Sequence, residues 1–283
     1  MITLSIATCT VHLEIKDSAL AFFDHEAFCQ RAATYIEPAD ASTQSSWTLS
    51  IEYTPGALLP GEFPTTENLF HEEQPDHSLV VSDISYCTTY WHTQRCEVVH
   101  FGDPQYVNRN LLEHVKLLVS MLIIDKGGLP MHASAIYKNQ SAILFMGPSG
   151  AGKSTAAKFC RPEWTIINDE FNIIAPDGQG GWMVHATPFS LWEMQPHAKT
   201  KISIDRLFWL KKNITTRCEP LTGKDKFNGI LRTVFTVPAS ATLGDSILAN
   251  SEDLIRRVSF ETLLFAKEQG FIEHVFPYHP IEI

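Results

Sequence analysis

The chain has 283 residues, of which 44% are hydrophobic and 19% are charged. Such a composition is typical of one large globular domain or two smaller ones, and it excludes a disordered tail, a collagen-like fibre and a disulfide-rich miniprotein. The 22 Lys and Arg residues are outnumbered by 32 Asp and Glu residues, which leaves a formal net charge of −10. Because a surface of this charge repels a phosphate backbone and anionic lipids, we expect no nucleic-acid partner and no membrane partner.

The cysteines and the N-terminal sequence predict a cytoplasmic protein. The six cysteines form no CxxC pair and have no close histidine at zinc-ligand spacing, so structural zinc is disfavoured and a reducing compartment is favoured. The first residues, MITLSIATCTVHLEI, alternate in polarity and carry no basic leader, which predicts a strand and not a signal peptide. The most apolar stretch, residues 111–124, includes Glu113, His114 and Lys116, and these polar groups argue against a membrane span.

The first hundred residues predict a β-rich region without a catalytic motif. Alternating polarity predicts strands over residues 2–7 and 47–53, and a strand-like run covers 78–101. Residues 55–75 are rich in Pro and Glu and predict a separating loop. The sequence HEEQPDH at 71–77 lacks the helical spacing of a zinc-protease motif, so we expect a solvated loop there and not a metal site.

A helix is predicted to follow this region. It starts at Asp103 or Asn108, carries an apolar stripe through Ile123, and ends at the glycine pair that follows. We therefore predict a β-rich N-terminal region over residues 1–108, which serves as a recognition module or extends the next sheet. A second domain is predicted over residues 109–283.

Beyond this helix, short apolar runs alternate with helical patterns. The predicted strands cover 131–136, 141–146, 165–168 and 202–210, and a predicted hairpin joins 171–175 to 182–187. Helices are predicted over 226–235 and 251–269, the second with Ser251 as its N-cap and Gly270 as its stop. The alternation predicts an α/β fold class.

One motif in the second region points to a specific chemistry. Residues 147–155 read Gly-Pro-Ser-Gly-Ala-Gly-Lys-Ser-Thr and match the phosphate-loop pattern G-x-x-x-x-G-K-[ST] between a predicted strand and a predicted helix. The glycines let backbone N–H groups wrap around phosphate, and the helix that starts near Lys153 adds the positive end of its dipole. By chance alone the pattern would occur in roughly one chain of this length in a hundred.

The motif assigns a binding role to each residue type. The ammonium of Lys153 is expected to reach the β- and γ-phosphates of ATP, and the Ser154 hydroxyl is expected to ligate Mg²⁺. The candidate nucleotide-binding residues are Gly147, Pro148, Ser149, Gly150, Ala151, Gly152, Lys153, Ser154 and Thr155.

A phosphate loop also needs an acidic partner for its metal ion. Asp169 and Glu170 end a predicted strand, and Asp169 comes only sixteen residues after Lys153. A short helix followed at once by this strand would place the carboxylate of Asp169 beside the loop, as a metal ligand or catalytic group. The alternative is that both acids only open a turn. For His132, in the strand before the loop strand, a functional role and a structural role are both open. A lone histidine among apolar residues is usually a core residue.

The run from residue 129 to 175, LPMHASAIYKNQSAILFMGPSGAGKSTAAKFCRPEWTIINDEFNIIAP, resembles the kinase domain of HPr kinase/phosphorylase. It is still more similar to the HPr-kinase-like proteins found beside peptide-modification genes, including lasso-peptide kinases. The resemblance implies an α/β, P-loop-containing fold of the phosphoenolpyruvate-carboxykinase and HPr-kinase type, with a mixed sheet and here a β-rich N-terminal portion. It also implies transfer of a phosphoryl group from Mg-ATP to a hydroxyl, often that of a serine.

The resemblance assigns roles by position. His132 matches the family histidine near the transferred phosphate, and Asp169 matches the second Asp of a pair, a metal ligand. The first Asp of that pair, the family's general base, is matched by Asn168, whose amide does not accept a proton at neutral pH. Three alternatives follow: Asp169 or Glu170 takes this role, positioning and charge stabilisation suffice, or catalysis is lost while nucleotide binding persists.

We therefore predict an ATP-dependent phosphotransferase with Mg²⁺ as its metal and a hydroxyl-bearing peptide, protein or metabolite as acceptor. His132, Lys153, Asp169 and Glu170 are the candidate catalytic residues. Two other interpretations stay open: a nucleotide-responsive binding protein and a small-molecule kinase or carboxykinase. A carboxykinase needs substrate arginines, and Arg206, Arg217 and Arg232 have no recognisable setting, although Arg232 on a predicted helix is the best candidate. A homo-oligomer is compatible with the sequence.

Overall fold

The structure is a computed structural model that describes residues 2–37, 46–59, 69–189, 201–235 and 241–275. It is a mixed α/β fold, and the described strands form two separate mixed sheets. The chain divides into two compact units. The first comprises Met1–Asp125 and Thr236–Asp245, and the second comprises Lys126–Phe235 and Ser246–Ile283.

The first unit is built on an eight-stranded sheet in the order β3-β1-β2-β4-β8-β7-β6-β5. Strand β4 runs parallel to both β2 and β8, and the other pairs are antiparallel. Its elements are β1 (Ile2–Ile6), β2 (Cys9–Ile15), α1 (Asp17–Leu20), α2 (His25–Ala32), β3 (Ile36–Glu37), β4 (Ser46–Tyr53), β5 (Leu69–Glu73), β6 (His77–Ser82), β7 (Ser85–Tyr90), β8 (Arg95–His100) and α3 (Val107–Asp125).

The strand predictions for this unit are mostly confirmed. Strands β1 and β4 lie where alternating polarity predicted them, and the strand-like run contains the three strands β6, β7 and β8. The predicted loop was wrong at its C-terminal end, since β5 lies within it and pairs with β6 as a hairpin. His71 is therefore on a strand, and His77 begins the next one and contacts Asp76, with 2.8 Å between Nδ1 and Oδ1.

Helix α3 buries its apolar stripe against β2, β4 and β8 of the same unit. Leu111, Val115 and Leu118 on this stripe are fully buried. The predicted boundary at residue 108 falls at the start of this helix, whereas its packing groups the helix with the first unit. The described N-terminal strands form their own sheet and do not extend the second one.

The second unit is built on a nine-stranded sheet in the order β12-β10-β11-β15-β14-β13-β9. Strand β17 lies parallel beside β15, and β16 pairs with β17. The elements are β9 (Leu129–His132), β10 (Ser134–Lys138), β11 (Ser141–Met146), α4 (Lys153–Phe159), β12 (Thr165–Asn168), β13 (Phe171–Pro176), β14 (Trp182–His185), β15 (Lys201–Lys212), β16 (Arg217–Pro220), α5 (Gly223–Leu231), α6 (Ala241–Arg257, in this unit from Ser246 onward), β17 (Ser259–Phe265) and α7 (Phe271–Val275).

Strand β11 runs through the interior of this sheet. It pairs antiparallel with β10 and parallel with β15, and its residues from Ala142 to Met146 are all fully buried. An unbroken apolar run is expected for a strand that is covered on both faces. Ala156 and Ala157 of α4 belong to the same hydrophobic cluster as Phe145 and Phe208. The sheet thus holds the start of α4 directly after the end of β11.

Consecutive strands of the second unit pair with different partners on either side of Ala133 and of the Asp169–Glu170 turn. Strand β9 pairs with β13, while β10, which follows it after Ala133, pairs with β12. Strands β12 and β13 are in turn joined by the Asp169–Glu170 turn. The Ala133 N–H donates to the carbonyl oxygen of Glu170 (3.2 Å), and the Ser134 hydroxyl donates to that of Asp169 (2.9 Å). These bonds fix the acidic turn against the β9–β10 junction.

The predicted helix over residues 251–269 is confirmed only as far as Arg257 and was wrong beyond it. Helix α6 ends at Arg257 and strand β17 begins two residues later. Phe260, Leu263 and Phe265 are buried in β17, which pairs in parallel with β15. Burial in the sheet therefore outweighs local helix propensity. Ser251 is not an N-cap, because it lies buried within α6.

The predicted helix over residues 226–235 is shifted toward the N-terminus. Helix α5 begins after Thr222, whose hydroxyl oxygen accepts a hydrogen bond from the Asp225 N–H (3.2 Å). Residues after the helix return to the sheet, where Val234 bridges Met131 and the Phe235 N–H donates to Pro130 (2.8 Å). Across the described part of the chain, none of the helices combines the length and the apolar composition that crossing a bilayer requires.

Candidate functional site

The loop between β11 and α4 adopts a backbone shape that depends on its glycines. Gly147 has a φ of +148° and Gly152 a φ of +103°, both outside the range that side chains favour. A Cβ atom at Gly147 would lie 3.0 Å from the Cβ of Ala151. The loop therefore folds back on itself at close range, which a larger residue at Gly147 would prevent.

The side chain of Lys153 crosses the inside of this loop. Its Nζ donates to the carbonyl oxygens of Gly147 (2.9 Å) and Pro148 (3.4 Å), and the residue is 8% exposed. Burial lowers the pKa of Lys153, and the nearby charge of Glu170 acts in the opposite direction. The structure thus holds the Lys153 ammonium against the carbonyl oxygens of the loop backbone.

The acidic turn is supported from behind by Asn168. Its amide nitrogen donates to the carbonyl oxygen (3.3 Å) and the hydroxyl oxygen (3.1 Å) of Thr187. Its carbonyl oxygen accepts from the N–H groups of Glu170 (3.1 Å) and Phe171 (3.4 Å). The Thr187 hydroxyl donates in turn to the carbonyl oxygen of Phe171 (2.7 Å). Asn168 is therefore a buried residue that holds the turn, while Asp169 and Glu170 line the cavity.

One cavity of about 430 Å³ brings the predicted residues together. The phosphate loop and α4 contribute one part of its lining, the Asp169–Glu170 turn contributes another, and His132 at the end of β9 contributes a third. Asp169 is 5% exposed, while His132 is exposed. The lining residues are His132, Ser149, Gly150, Gly152, Lys153, Ser154, Thr155, Asp169 and Glu170. Of the loop residues, Gly147, Pro148 and Ala151 are not part of this lining.

The arginines considered for a carboxykinase site lie elsewhere. Arg206 pairs with Glu261 across β15 and β17 (2.9 Å), and Arg217 pairs with Glu219 (2.9 Å). Arg232 follows the last turn of α5 and is exposed. The described residues that line the cavity include none of these three.

The donor groups in the cavity fit Mg²⁺ better than a transition metal. Ser154 and Asp169 offer hydroxyl and carboxylate oxygens, and Mg²⁺ typically takes one or two protein oxygens together with water and phosphate oxygens. No group of three or more His, Cys, Asp or Glu side chains in the described ranges is arranged to hold a metal ion. A Mg²⁺ site of this kind needs only one carboxylate, so it does not require a group of three such side chains.

Sequence reasoning missed the residues that support the site. The roles of Thr187 and Ser134 depend on strand pairing that joins distant parts of the chain, and neither residue lies in a recognisable motif. Asn168 was considered only as a substituted catalytic acid. Its Asx-type bonds to the N–H groups two and three residues further on are typical of Asn before a turn, and this signal was available in the sequence.

A family model matches the middle of the chain. Residues 95–215 match the model described as SynChlorMet cassette protein ScmC, and this segment contains every residue that lines the cavity. No curated protein matches the chain at a significant level. The chain is therefore similar to the ScmC family model over less than half of the chain's length, and the matched segment includes the candidate site.

Proposed function

We propose that the second unit is a Mg-ATP-dependent phosphotransferase that transfers the γ-phosphoryl group to a hydroxyl acceptor. The observation that carries the proposal is the convergence of the phosphate loop, its lysine and two carboxylates on one cavity. A glycine loop with a lysine across its inner face suits a polyphosphate, because backbone N–H groups and an ammonium offset its charge. The resemblance to HPr-kinase-like proteins supports the same chemistry and the same P-loop fold.

Ser154 and Asp169 are the residues that would hold Mg²⁺. When bound, the ion would neutralise charge on the phosphate oxygens and orient the transferred group. A carboxylate that ligates a metal is a weaker base, since the cation stabilises its ionised form. This argument leaves Glu170 as the better proton acceptor of the two acids.

Transfer then needs one bond to form and one to break. The acceptor oxygen bonds to the γ-phosphorus while the bond to the β-phosphate oxygen breaks, and ADP leaves. The proton of the acceptor hydroxyl passes to the Glu170 carboxylate. Lys153 stabilises the negative charge on the phosphate oxygens, and exposed His132 faces the transferred group from the end of β9.

A second candidate function is nucleotide binding without transfer. The observation that favours it is the buried amide of Asn168, which by the resemblance matches the family's general base and is engaged in bonds to Thr187 and to the Glu170 N–H. Such a protein would bind a nucleotide at the same loop and produce no phosphorylated product.

The test is turnover with a panel of hydroxyl acceptors. The protein is incubated with Mg-ATP and serine peptides, sugars or small alcohols, and ADP and phosphorylated product are quantified by mass spectrometry. We expect Lys153→Met to lower product formation at least about 100-fold, because it removes the phosphate-facing cation while keeping the side-chain volume. Lys158→Met, an exposed change in the same helix, is the matched control and keeps full activity. Equal turnover by the two variants would contradict the proposal.

A further inference from the structure

The first unit contains two cysteines whose sulfur atoms face each other. Cys87 on β7 lies opposite Val98, and Cys96 on β8 lies opposite Thr89, so the two cysteines are diagonal neighbours on one face of the sheet. Their Sγ atoms are 3.0 Å apart, and each residue is 1% exposed. A disulfide bond requires about 2.05 Å between sulfurs. A shift of about one ångström therefore separates this contact from a bond.

A chain of hydrogen bonds next to this pair holds the ring of His114 in place. His100 Nε2 donates to the carbonyl oxygen of Asp103 (3.0 Å), so its Nδ1 accepts from the Asn110 amide nitrogen (3.0 Å). The Asn110 carbonyl oxygen then accepts from the Ser85 hydroxyl (3.1 Å). The Ser85 hydroxyl also contacts His114 Nε2 (3.1 Å), which holds the His114 ring in place.

His114 lies beside the cysteine pair and is 7% exposed. The pKa of Cys87 is lowered, chiefly by the hydrogen bond from Cys96 and also by the hydrogen bond and charge of His114, while burial acts in the opposite direction. The pKa of Cys96 is raised by the same hydrogen bond and by burial. Two sulfurs in contact, one of which ionises more readily than the other, are the arrangement from which a disulfide forms by exchange.

We propose that Cys87 and Cys96 are a redox-active dithiol that forms a reversible disulfide within the first unit. The oxidant is a low-molecular-weight disulfide. The Cys87 thiolate bonds to one of its sulfurs and releases the other as a thiolate. The Cys96 thiol then gives its proton to the released thiolate, bonds to the Cys87 sulfur and displaces the second thiolate, which takes up the proton that Cys87 lost on ionisation. Two cysteine sulfurs are oxidised and one disulfide is reduced to two thiols, so atoms and electrons balance.

The position of the pair favours a reversible bond over a structural one. Few residues separate the cysteines, so the cross-link removes less entropy from the unfolded chain than one that closes a long loop. The stabilisation that makes a structural disulfide resistant to reduction is therefore smaller here. The bond is expected to open and close with the thiol–disulfide ratio of the buffer.

The test is a redox titration of the whole chain. Cys29→Ser and Cys218→Ser are combined first, because these two partly exposed thiols react by exposure alone. Because both sulfurs of the pair are buried, exchange needs local opening, so the protein is equilibrated in glutathione buffers of increasing oxidised fraction. Acid quenching, alkylation and trypsin digestion follow. Trypsin cleaves after Arg95 and so separates the two cysteines unless a disulfide joins their peptides.

We expect a linked peptide pair that contains Cys87 and Cys96, with a fraction that rises with oxidised glutathione and falls again when reduced thiol is restored. Cys96→Ala, added to the same background, abolishes the linked peptide. Two results would overturn the proposal. One is that both thiols stay free in every buffer; the other is that each forms only a separate mixed disulfide with glutathione. Neither result depends on the proposed phosphotransferase activity.

Discussion

The second unit contains two sets of polar residues that differ in what they face. Lys153, Asp169 and Glu170 line the cavity, whereas Asn168 and Thr187 on the other side of the same turn are buried and bonded to each other. Asn168 and Asp169 are neighbours in the chain, yet they belong to different sets. The comparison teaches that adjacent polar residues divide into ligand-facing groups and groups that hold them in place. Changes in the first set should cost activity, and changes in the second should cost stability.

The largest effect is expected on the cavity side, at Asp169. Asp169→Asn removes a negative charge from the proposed Mg²⁺ site, and the rate of transfer should fall on the order of 1000-fold, or about 4 kcal/mol. The free energy of unfolding should change little. Turnover measured against Mg²⁺ concentration and urea unfolding check the two halves of this prediction.

The control for Asp169 is Glu163→Gln, which removes an exposed carboxylate that does not line the cavity. It should leave both the Mg²⁺ dependence and the unfolding curve as in the unsubstituted protein. If Asp169→Asn lowered stability as much as activity, the division into two sets would be wrong at this residue.

Buried polar residues elsewhere in the unit should affect the free energy of unfolding and not the activity. The next largest effect is expected at His185 on β14. Burial lowers the pKa of His185 from 6.5 to about 4, so the folded protein keeps this ring neutral while the unfolded chain protonates it. Its contribution to stability is complete above pH 6.5 and is lost as the pH falls toward 4. The loss amounts to about 3 kcal/mol.

His185→Gln should remove this part of the acid sensitivity. Urea unfolding at pH 7 and near pH 4 measures the free energy of unfolding of both proteins, and the drop between the two pH values should be smaller in the variant. His92→Gln, at an exposed histidine, should retain the full drop. An identical drop in His185→Gln and the unsubstituted protein would exclude His185 as the titrating group.

The smallest effect is expected at Asn168, and this substitution tests the division into cavity-lining and supporting residues most closely. Asn168→Asp removes the N–H donor that bonds to Thr187, so a carboxylate would face a carbonyl oxygen. We expect a loss of about 1–3 kcal/mol in the free energy of unfolding and no gain in phosphoryl transfer. Chemical unfolding and the turnover assay measure both.

Asn139→Asp makes the same chemical change in an exposed turn and should be neutral. A large gain in transfer by Asn168→Asp would show a degenerate site whose lost base has been restored. That outcome would favour the second candidate function over the first.

The local parts of the candidate site could be predicted from the sequence, because the phosphate loop is a contiguous motif. The motif begins directly after β11 and runs into the first turn of α4 as expected, and the early acidic pair follows β12. The contribution of His132 depends on the pairing of β9 with β13, which no local spacing encodes. The bond from Asn168 to Thr187 also joins residues nineteen positions apart.

The sequence predicted the secondary structure well where the hydrophobic periodicity was clear. It predicted the secondary structure poorly where pairing with a distant strand determines it. Strands β1, β4 and β11 carry strong local patterns and lie where expected. Strand β17 was mistaken for the continuation of a helix, because its apolar residues fit both periods until β15 is known to lie beside it. Strand β5 was missed within a polar stretch for a similar reason, since its pairing with β6 defines it.

The most direct test of the central claim is calorimetric titration with a non-hydrolysable ATP analogue and Mg²⁺. The account predicts one binding site in the unsubstituted protein and in Lys158→Met. It predicts affinity weakened at least about 100-fold in Lys153→Met, which should fold at least as stably because burial of the charged lysine is unfavourable. Absence of binding, or equal affinity in Lys153→Met, would contradict the claim that the loop beginning at Gly147 binds a polyphosphate.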